Sequence, residues 1–192
     1  MTDDMVDTFS MLPQPLKADD LVHRQRPVAS RTGENLFWMG RYTERTEQQL
    51  RLVQALQSLL GDDNDLALSV QEAMSGLAAT CGLLPAKVPS LKQSPRVFER
   101  AVVDAMADAR ARQGAYSLAY NLGALERSAQ VLRDRLSPEH DRLLRTLGVD
   151  FEVRMRRGGT LAAHLDDTRE ALDHLAMQMA AVTGAQTDRM TR

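Results

Sequence analysis

The sequence predicts an all-α protein, an antiparallel multi-helix bundle of five long helices and one short helix. Three observations favour this fold class. Apolar residues recur at helical spacing over most of the chain, aromatic residues make up only 4% of its 192 residues, and it holds only 11 glycines and 7 prolines. A β-rich protein needs aromatic and β-branched strands with frequent turns, so this composition disfavours one. The predicted connections are mostly short, so sequential helices should pack in opposite directions.

Residues 1–29 differ in character from the rest of the chain. Pro13, Pro15 and Pro27 each remove a backbone donor and restrict the residue before them, and apolar periodicity is absent. We predict an extended arm or linker over residues 1–29, either docked or disordered, and a helical bundle over residues 30–192.

Serine caps mark where helices begin. Ser30, Ser94 and Ser137 are candidate N-caps, and proline follows the last two at the first helical position, where its missing N–H costs nothing. Glycines mark helix ends, because the residue after the last helical turn often adopts the left-handed backbone conformation, which glycine adopts most easily. The helices are predicted over residues 31–60, 65–81, 95–113, 116–136, 138–148 and 160–183.

Two further helix ends and two loops complete the prediction. Gly148 is predicted to end the short fifth helix and Gly184 the last helix. Residues 83–93 are predicted as a loop because two prolines interrupt them. Residues 151–157 alternate weakly between apolar and polar types, and we interpret them as a loop rather than an isolated strand.

Charge and cysteine content exclude several classes of protein. Lys and Arg total 24 against 26 Asp and Glu, so the basic excess that binds nucleic acid is missing. The single cysteine, Cys81, excludes an internal disulfide and a zinc site of several thiolates, and an inert thiol is its default role. No membrane span or signal peptide is visible, so we expect a cytoplasmic protein. No nucleotide loop, nucleophile elbow or di-iron pattern occurs, so we expect no cofactor or metal.

The first helix is unusual because its middle, residues 43–49, is polar on every side. A helix in a bundle normally keeps an apolar stripe along its whole length. Helical spacing places four polar residues on one face: Arg41, Glu44, Arg45 and Gln48. Gly40, beside them, would let another backbone approach closely.

The fourth helix repeats part of this pattern. The segment ERSxQxLR, which contains Glu126, Arg127 and Arg133, matches ERTxQxLR of the first helix without a gap. The match is either a structural repeat or a coincidence among helices rich in Glu, Arg and Leu. The arginines and glutamates then have two interpretations, a buried ion-pair network that sets helix register or an anion pocket with arginines as donors. The buried network is the favoured one.

The segment SRTGENLFWMGRYTERTE, residues 30–47, resembles the opening signature of the bacterial alpha-E family, an all-helical domain without an assigned activity. Trp38 and Gly40 belong to this signature. The segment LRDRLS, residues 132–137, resembles the mid-domain helix of the family, although Glu126-Arg127-Ser128 stands where the family more often shows Arg-Glu-Asn. In the family a second Trp-x-x-x-Gly-Arg-x-x-Glu-Arg segment follows the last helix present here. The resemblance therefore implies a C-terminally incomplete bundle and an exposed patch at the Trp38 face.

The resemblance also implies partners. Residues 7–26 resemble the junction with a preceding circularly permuted ATP-grasp domain in fused bacterial proteins. Alpha-E proteins otherwise look like genomic neighbours of such ATP-grasp enzymes and of transglutaminase-like peptidases. We expect a non-catalytic accessory domain of a peptide-ligating or peptide-modifying system, whose Arg/Glu face organises the bundle or binds an acidic group. The alternative is a catalytic domain with Glu44 or Glu126 as general base and arginines as anion stabilisers. Burial separates the two, because a carboxylate paired inside a closed bundle cannot serve an outside substrate.

Overall fold

The computed structural model describes residues 30–61, 67–84, 87–110, 117–157 and 159–190. Within these ranges the chain forms six α-helices and one two-stranded antiparallel hairpin, so the predicted all-α bundle is confirmed. The elements are α1 (Ser30–Gly61), α2 (Leu68–Thr80), α3 (Pro95–Ala107), α4 (Leu118–Val131), α5 (Pro138–Met155), β1 (Arg156–Arg157), β2 (Thr160–Leu161) and α6 (Arg169–Met190). The predicted arm over residues 1–29 lies outside the described residues.

Polar contacts between helices show that neighbours run in opposite directions. Along α1 and α6, Glu47 accepts a hydrogen bond from Thr183 at 2.5 Å, whereas Gln54, further along α1, meets Asp173, which is earlier in α6. Helices α5 and α6 are also antiparallel, because Asp150 contacts Gln178 whereas Arg154, later in α5, contacts Glu170, which is earlier in α6. A 3-10 turn at Arg133–Arg135 reverses the chain between α4 and α5. These reversals make α4 antiparallel to α1.

Helix α4 lies at the centre of the bundle, packed against α1, α3 and α5. Half of its side chains are buried, and its sequence is apolar on more than one face, as expected of a helix surrounded by others. Ser117 caps it by accepting a hydrogen bond from the Tyr120 N–H at 3.0 Å. Phe98 and Met106 of α3 are fully buried and contribute to the same core.

The predicted end of the short fifth helix at Gly148 is wrong. Helix α5 has 18 residues and continues through Phe151 to Met155, so the loop predicted over 151–157 is also wrong. Leu144, Leu147, Phe151 and Met155 are all buried at helical spacing, and this stripe outweighs the roughly 1 kcal/mol that a glycine costs inside a helix. Ser137 caps α5 through the His140 N–H at 3.2 Å, as its sequence predicted.

The other boundaries that differ from the prediction include the end of α4, which is at Val131 rather than at residue 136, because the chain turns into the 3-10 segment Arg133–Arg135. Helix α3 ends at Ala107 rather than near residue 113, because Asp108 takes an extended conformation with ψ of 104°. Helix α6 begins at Arg169, after the β1–β2 hairpin and a 3-10 turn, instead of at residue 160, and it passes through Gly184. The first helix is confirmed to within one residue at each end. The start predicted for the second helix and the predicted gap between residues 113 and 116 lie outside the described residues.

Candidate functional site

The polar middle of α1 still faces the core, because threonines replace the apolar residues there. Thr43 and Thr46 are buried, and their hydroxyls donate to the carbonyls of Met39 and Tyr42 at 2.9 and 2.8 Å. Each hydroxyl is thus satisfied within the helix, and the methyl group is left to pack. Arg41, Glu44 and Gln48 can therefore stay on the outside of the helix without breaking the buried stripe.

An aromatic ladder occupies the N-terminal half of α1. The Phe37 and Trp38 rings meet edge to face at 5.3 Å, and Trp38 stacks on Tyr42 at 5.8 Å. Phe37 is 63% exposed, and Leu36 and Trp38 are exposed beside it. Three neighbouring large apolar side chains in water form a patch of the kind that marks an interaction site.

The charged residues that follow the ladder are exposed. Arg41 Nη1 lies 3.1 Å from Glu44 Oε2, and the two side chains are 46% and 54% exposed. Gln48 Nε2 donates to the other carboxylate oxygen of Glu44 at 3.3 Å. The predicted shared face of Arg41, Glu44 and Gln48 is thus present. The favoured interpretation of a buried ion-pair network is wrong for these residues, because the pair is solvated and sets no helix register.

Gly40 lies on this exposed surface and within the described residues has no atom within 4 Å of the place where a Cβ would be. The close backbone approach predicted there does not occur within the described bundle. We define the signature surface as Phe37, Trp38, Gly40, Arg41 and Glu44.

The repeated pattern in α4 has different surroundings from its counterpart. Glu126 is partly buried and accepts from Gln130 Nε2 at 3.5 Å, while the Arg127 guanidinium lies 5.9 Å from the centre of the Tyr120 ring. Arg133 falls in the 3-10 turn after α4, where it pairs with Asp134 at 3.5 Å in water. The structure therefore separates Arg133 from the other predicted site residues.

Arg45 and Gln48 of α1 line a cleft between α1, α4 and the end of α2. Its volume is about 320 Å³. We call it the α1–α4 cleft; its lining residues are Arg45, Gln48, Gln49, Leu52, Thr80, Cys81 and Asn121. Of the nine predicted site residues, only Arg45 and Gln48 belong to this lining.

Two buried amides form the polar floor of the cleft. Asn121 Nδ2 donates to Gln49 Oε1 at 2.8 Å, and both residues are buried. The other atom of the Asn121 amide, Oδ1, is buried and has no hydrogen-bond partner among the described residues. An unpartnered buried acceptor is unusual, because most buried polar atoms in folded proteins are paired.

Sequence reasoning missed Asn121, and its signal was a polar residue within the apolar run of α4, between Leu118 and Leu125. Burial is one of the two default expectations for a lone thiol such as Cys81, the other being an inert role, but Cys81 is exposed at the cleft. A short range of sequence could not show this, because α1, α2 and α4 each supply part of the wall.

A third Glu-Arg pair, Glu99-Arg100 of α3, contacts the segment of the chain that precedes α6. Arg100 donates to the Ala162 carbonyl at 3.3 Å, and Glu99 lies 3.7 Å from His164. The three Glu-Arg pairs of the chain thus have three different surroundings: solvent and a cleft on α1, an aromatic ring on α4, and a loop on α3.

Two searches over the described residues found neither a metal cluster nor a membrane span. No group of three or more His, Cys, Asp or Glu side chains there is close enough to hold a metal ion. None of the helices in those ranges combines the length and the apolar composition needed to cross a bilayer.

Comparison with characterised proteins and with solved structures found no significant match. One family model does match, over residues 28–192, and describes a predicted alpha-helical domain with a conserved ER motif. The helices and the Glu-Arg pairs described above agree with that description. The chain belongs to the Alpha-E family.

Proposed function

We propose that this chain is a non-catalytic accessory domain of an ATP-grasp-linked peptide ligation or modification system, and that it docks on its partner through the signature surface. The observation that carries the proposal is the exposure of that surface. Phe37 and Trp38 lie in water next to a solvated Arg41–Glu44 pair and a glycine with open space above it. Apolar anchors surrounded by polar groups form the typical arrangement of a protein interface.

The partner that we propose is a circularly permuted ATP-grasp protein, on the strength of the resemblance in the N-terminal arm. A transglutaminase-like protein is the second candidate partner. ATP-dependent ligation takes place where ATP is supplied, so a cytoplasmic location is part of this proposal. In this proposal the arginines would also bind an acidic group.

The catalytic alternative has less support from the geometry. Glu44 is solvated between Arg41 and Gln48, and Glu126 is bonded to Gln130 within its own helix. Neither carboxylate is among the residues that line the α1–α4 cleft. A general base must lie within hydrogen-bond reach of a bound substrate, so an enclosed site beside the carboxylate would be needed.

The proposal is tested by measuring binding of the 192-residue chain to the ATP-grasp protein of the same genome. Phe37→Ser removes an apolar anchor, and Val153→Ser is the matched control, because Val153 is an equally exposed apolar residue on α5. We expect Phe37→Ser to weaken binding by at least about tenfold, and Val153→Ser to leave it unchanged. Trp38 is the single tryptophan of the chain, so its fluorescence reports contact at the signature surface directly.

Gly40→Gln is a second variant that leaves the bundle intact, because nothing among the described residues occupies the space above Gly40. A docked partner backbone would meet the new side chain, and binding should fall. Equal binding by the wild type, Phe37→Ser and Gly40→Gln would reject docking at this surface. Binding to a transglutaminase-like protein alone would reject the ATP-grasp assignment.

A further inference from the structure

We infer that the α1–α4 cleft binds a small carboxylate that carries an N–H donor on the adjacent carbon, the chemistry shared by a free amino acid and the C-terminal residue of a peptide. The inference deepens the acidic-group part of the proposed function and rests on that part alone. Docking at the signature surface is a separate matter. Trp38 reports on that surface and Cys81 on the cleft, so the failure of one is distinguishable from the failure of the other.

The cleft has the size and lining of a small-ligand site. Its volume of about 320 Å³ falls at the lower end of the range for small-molecule pockets. Leu52 supplies an apolar wall, while Gln48, Gln49 and Thr80 add polar groups. A few polar groups that converge in a partly apolar cleft are typical of sites that orient a ligand.

Arg45 is the group that would receive the carboxylate. It is half-buried at the wall of the cleft, one helical turn from Gln49. A guanidinium carries five N–H donors in a planar fork, so it can bind a carboxylate through two parallel hydrogen bonds in addition to its contacts within the protein. Partial burial strengthens such a contact relative to one in open water.

Asn121 Oδ1 is the group that would receive the N–H. Asn121 is 0% exposed, and this oxygen has no partner among the described residues, although the residue lines the cleft. Its amide orientation is determined by the bond from Nδ2 to Gln49 Oε1, which leaves the acceptor for another donor. A ligand that donates here pairs a buried acceptor, and a ligand without a donor leaves it unpaired.

The two groups together select the ligand class. A plain carboxylate satisfies Arg45 and leaves Asn121 unpaired, and an amide without a carboxylate does the reverse. A phosphate dianion has three acceptor oxygens and a single O–H, so most of its orientations place an acceptor against Asn121 Oδ1. A ligand with both a carboxylate and a neighbouring N–H pairs both groups.

Cys81 provides the measurement. It is the single cysteine of the chain, it is exposed, and it lines the cleft, so the rate of its alkylation by N-ethylmaleimide reports occupancy of the cleft. The probes are N-acetylalanine, which has both groups, propionate, which has the carboxylate alone, N-acetylalanine amide, which has the N–H alone, and inorganic phosphate. Free alanine forms a further arm, because it separates an amino-acid site from a site for a peptide terminus.

We expect N-acetylalanine to slow alkylation along a saturable curve, and propionate, N-acetylalanine amide and phosphate to bind at least about tenfold more weakly. Protection by alanine but not by N-acetylalanine would assign the site to free amino acids, and the reverse would assign it to peptide termini. Equal protection by propionate and N-acetylalanine would overturn the role of Asn121. No protection by any probe would overturn the inference.

A pair of variants tests Arg45. Arg45→Met should weaken N-acetylalanine binding by at least about tenfold. Arg51→Met is the matched control, since Arg51 is on the same helix, is 79% exposed and does not line the cleft. Equal binding by the two variants would overturn the inference. If circular dichroism shows Arg45→Met to be unfolded, the comparison of the five probes on the wild type decides the question without a variant.

Discussion

Glu44 lies between Arg41 and Gln48 with its side chain 54% exposed, and this position determines what its removal should cost. Exposed ion pairs contribute little, because water and salt screen them and two long side chains must be ordered. We expect Glu44→Ala to lower the free energy of unfolding by less than about 1 kcal/mol in urea denaturation. A buried pair would lose about 3–5 kcal/mol, and a loss of that size would contradict the exposed placement.

Asn121 should behave in the opposite way, because its amide is buried. Asn121→Ala removes the 2.8 Å donor to Gln49 Oε1 from the interior, and we expect a loss of about 1–3 kcal/mol in unfolding free energy. Gln54→Ala is the control, since it breaks an exposed hydrogen bond to Asp173 at 3.3 Å and should cost no more than about 0.5 kcal/mol. Similar losses for both variants would show that the buried amide pair adds no stability.

These residues show what spacing can and cannot predict about a site. Helical periodicity is enough to place Arg41, Glu44 and Gln48 on one face, and their mutual contacts confirm it. Periodicity does not tell which face another helix covers, so the burial of that face was predicted wrongly. The role of Asn121 depends on contact with Gln49, a residue far away in the chain, which no local pattern contains.

At the scale of elements, α5 shows how a glycine inside a helix differs from one in a turn. Gly148 is in mid-helix, and a Cβ there would lie at an ordinary 3.9 Å from Leu122 Cβ. Gly159 has a φ of +83°, which L side chains rarely adopt. We expect Gly148→Ala to raise the unfolding free energy by about 0.5–1 kcal/mol and Gly159→Ala to lower it by about 1 kcal/mol. Thermal and urea unfolding of the two variants measure this contrast. Destabilisation by Gly148→Ala would show that α5 packs more closely against α4 than the 3.9 Å distance from Leu122 Cβ indicates.

Helix starts were predictable where a cap supplies them, and helix ends were less so. Ser94 with Pro95 and Ser137 with Pro138 mark the starts of α3 and α5 correctly, because a serine followed by proline suits few other conformations. Only the Ser137 side chain makes the capping hydrogen bond; that of Ser94 makes none. The sequence predicts helix ends at Gly148 and Gly184, yet both helices continue past these residues. Burial of residues such as Phe151 beyond Gly148 outweighs the preference of glycine for a helix end. That burial depends on contacts with other helices, which the local sequence does not reveal.

At the scale of the whole molecule, the fold class and its antiparallel order followed from composition and periodicity, whereas the α1–α4 cleft did not. The cleft needs three helices to be placed together, and its wall includes Thr80 and Cys81 from the end of α2. A bundle of known helices can be assembled with different neighbours, and only the packing decides which polar side chains meet.

Stability should also be unequal across the bundle. Helix α4 buries seven of its 14 residues, whereas α2 buries only Met74 and Ala78 of its 13 and exposes Leu68 and Leu77 to water. Helices with little buried apolar surface open locally without global unfolding. We expect the amide protection factors of α2 in hydrogen exchange to be at least about tenfold smaller than those of α4.

The same measurement links stability to the cleft. Opening of α2 moves the wall that Thr80 and Cys81 form, so a ligand held in the cleft should oppose that opening. We expect N-acetylalanine to slow hydrogen exchange in the last turn of α2 and to leave exchange at the exposed N-terminal half of α1 unchanged. Slowed exchange at α1 alone would mean that the ligand binds at the signature surface instead. Equal protection of α2 and α4 without ligand would mean that α2 opens only when the whole bundle unfolds.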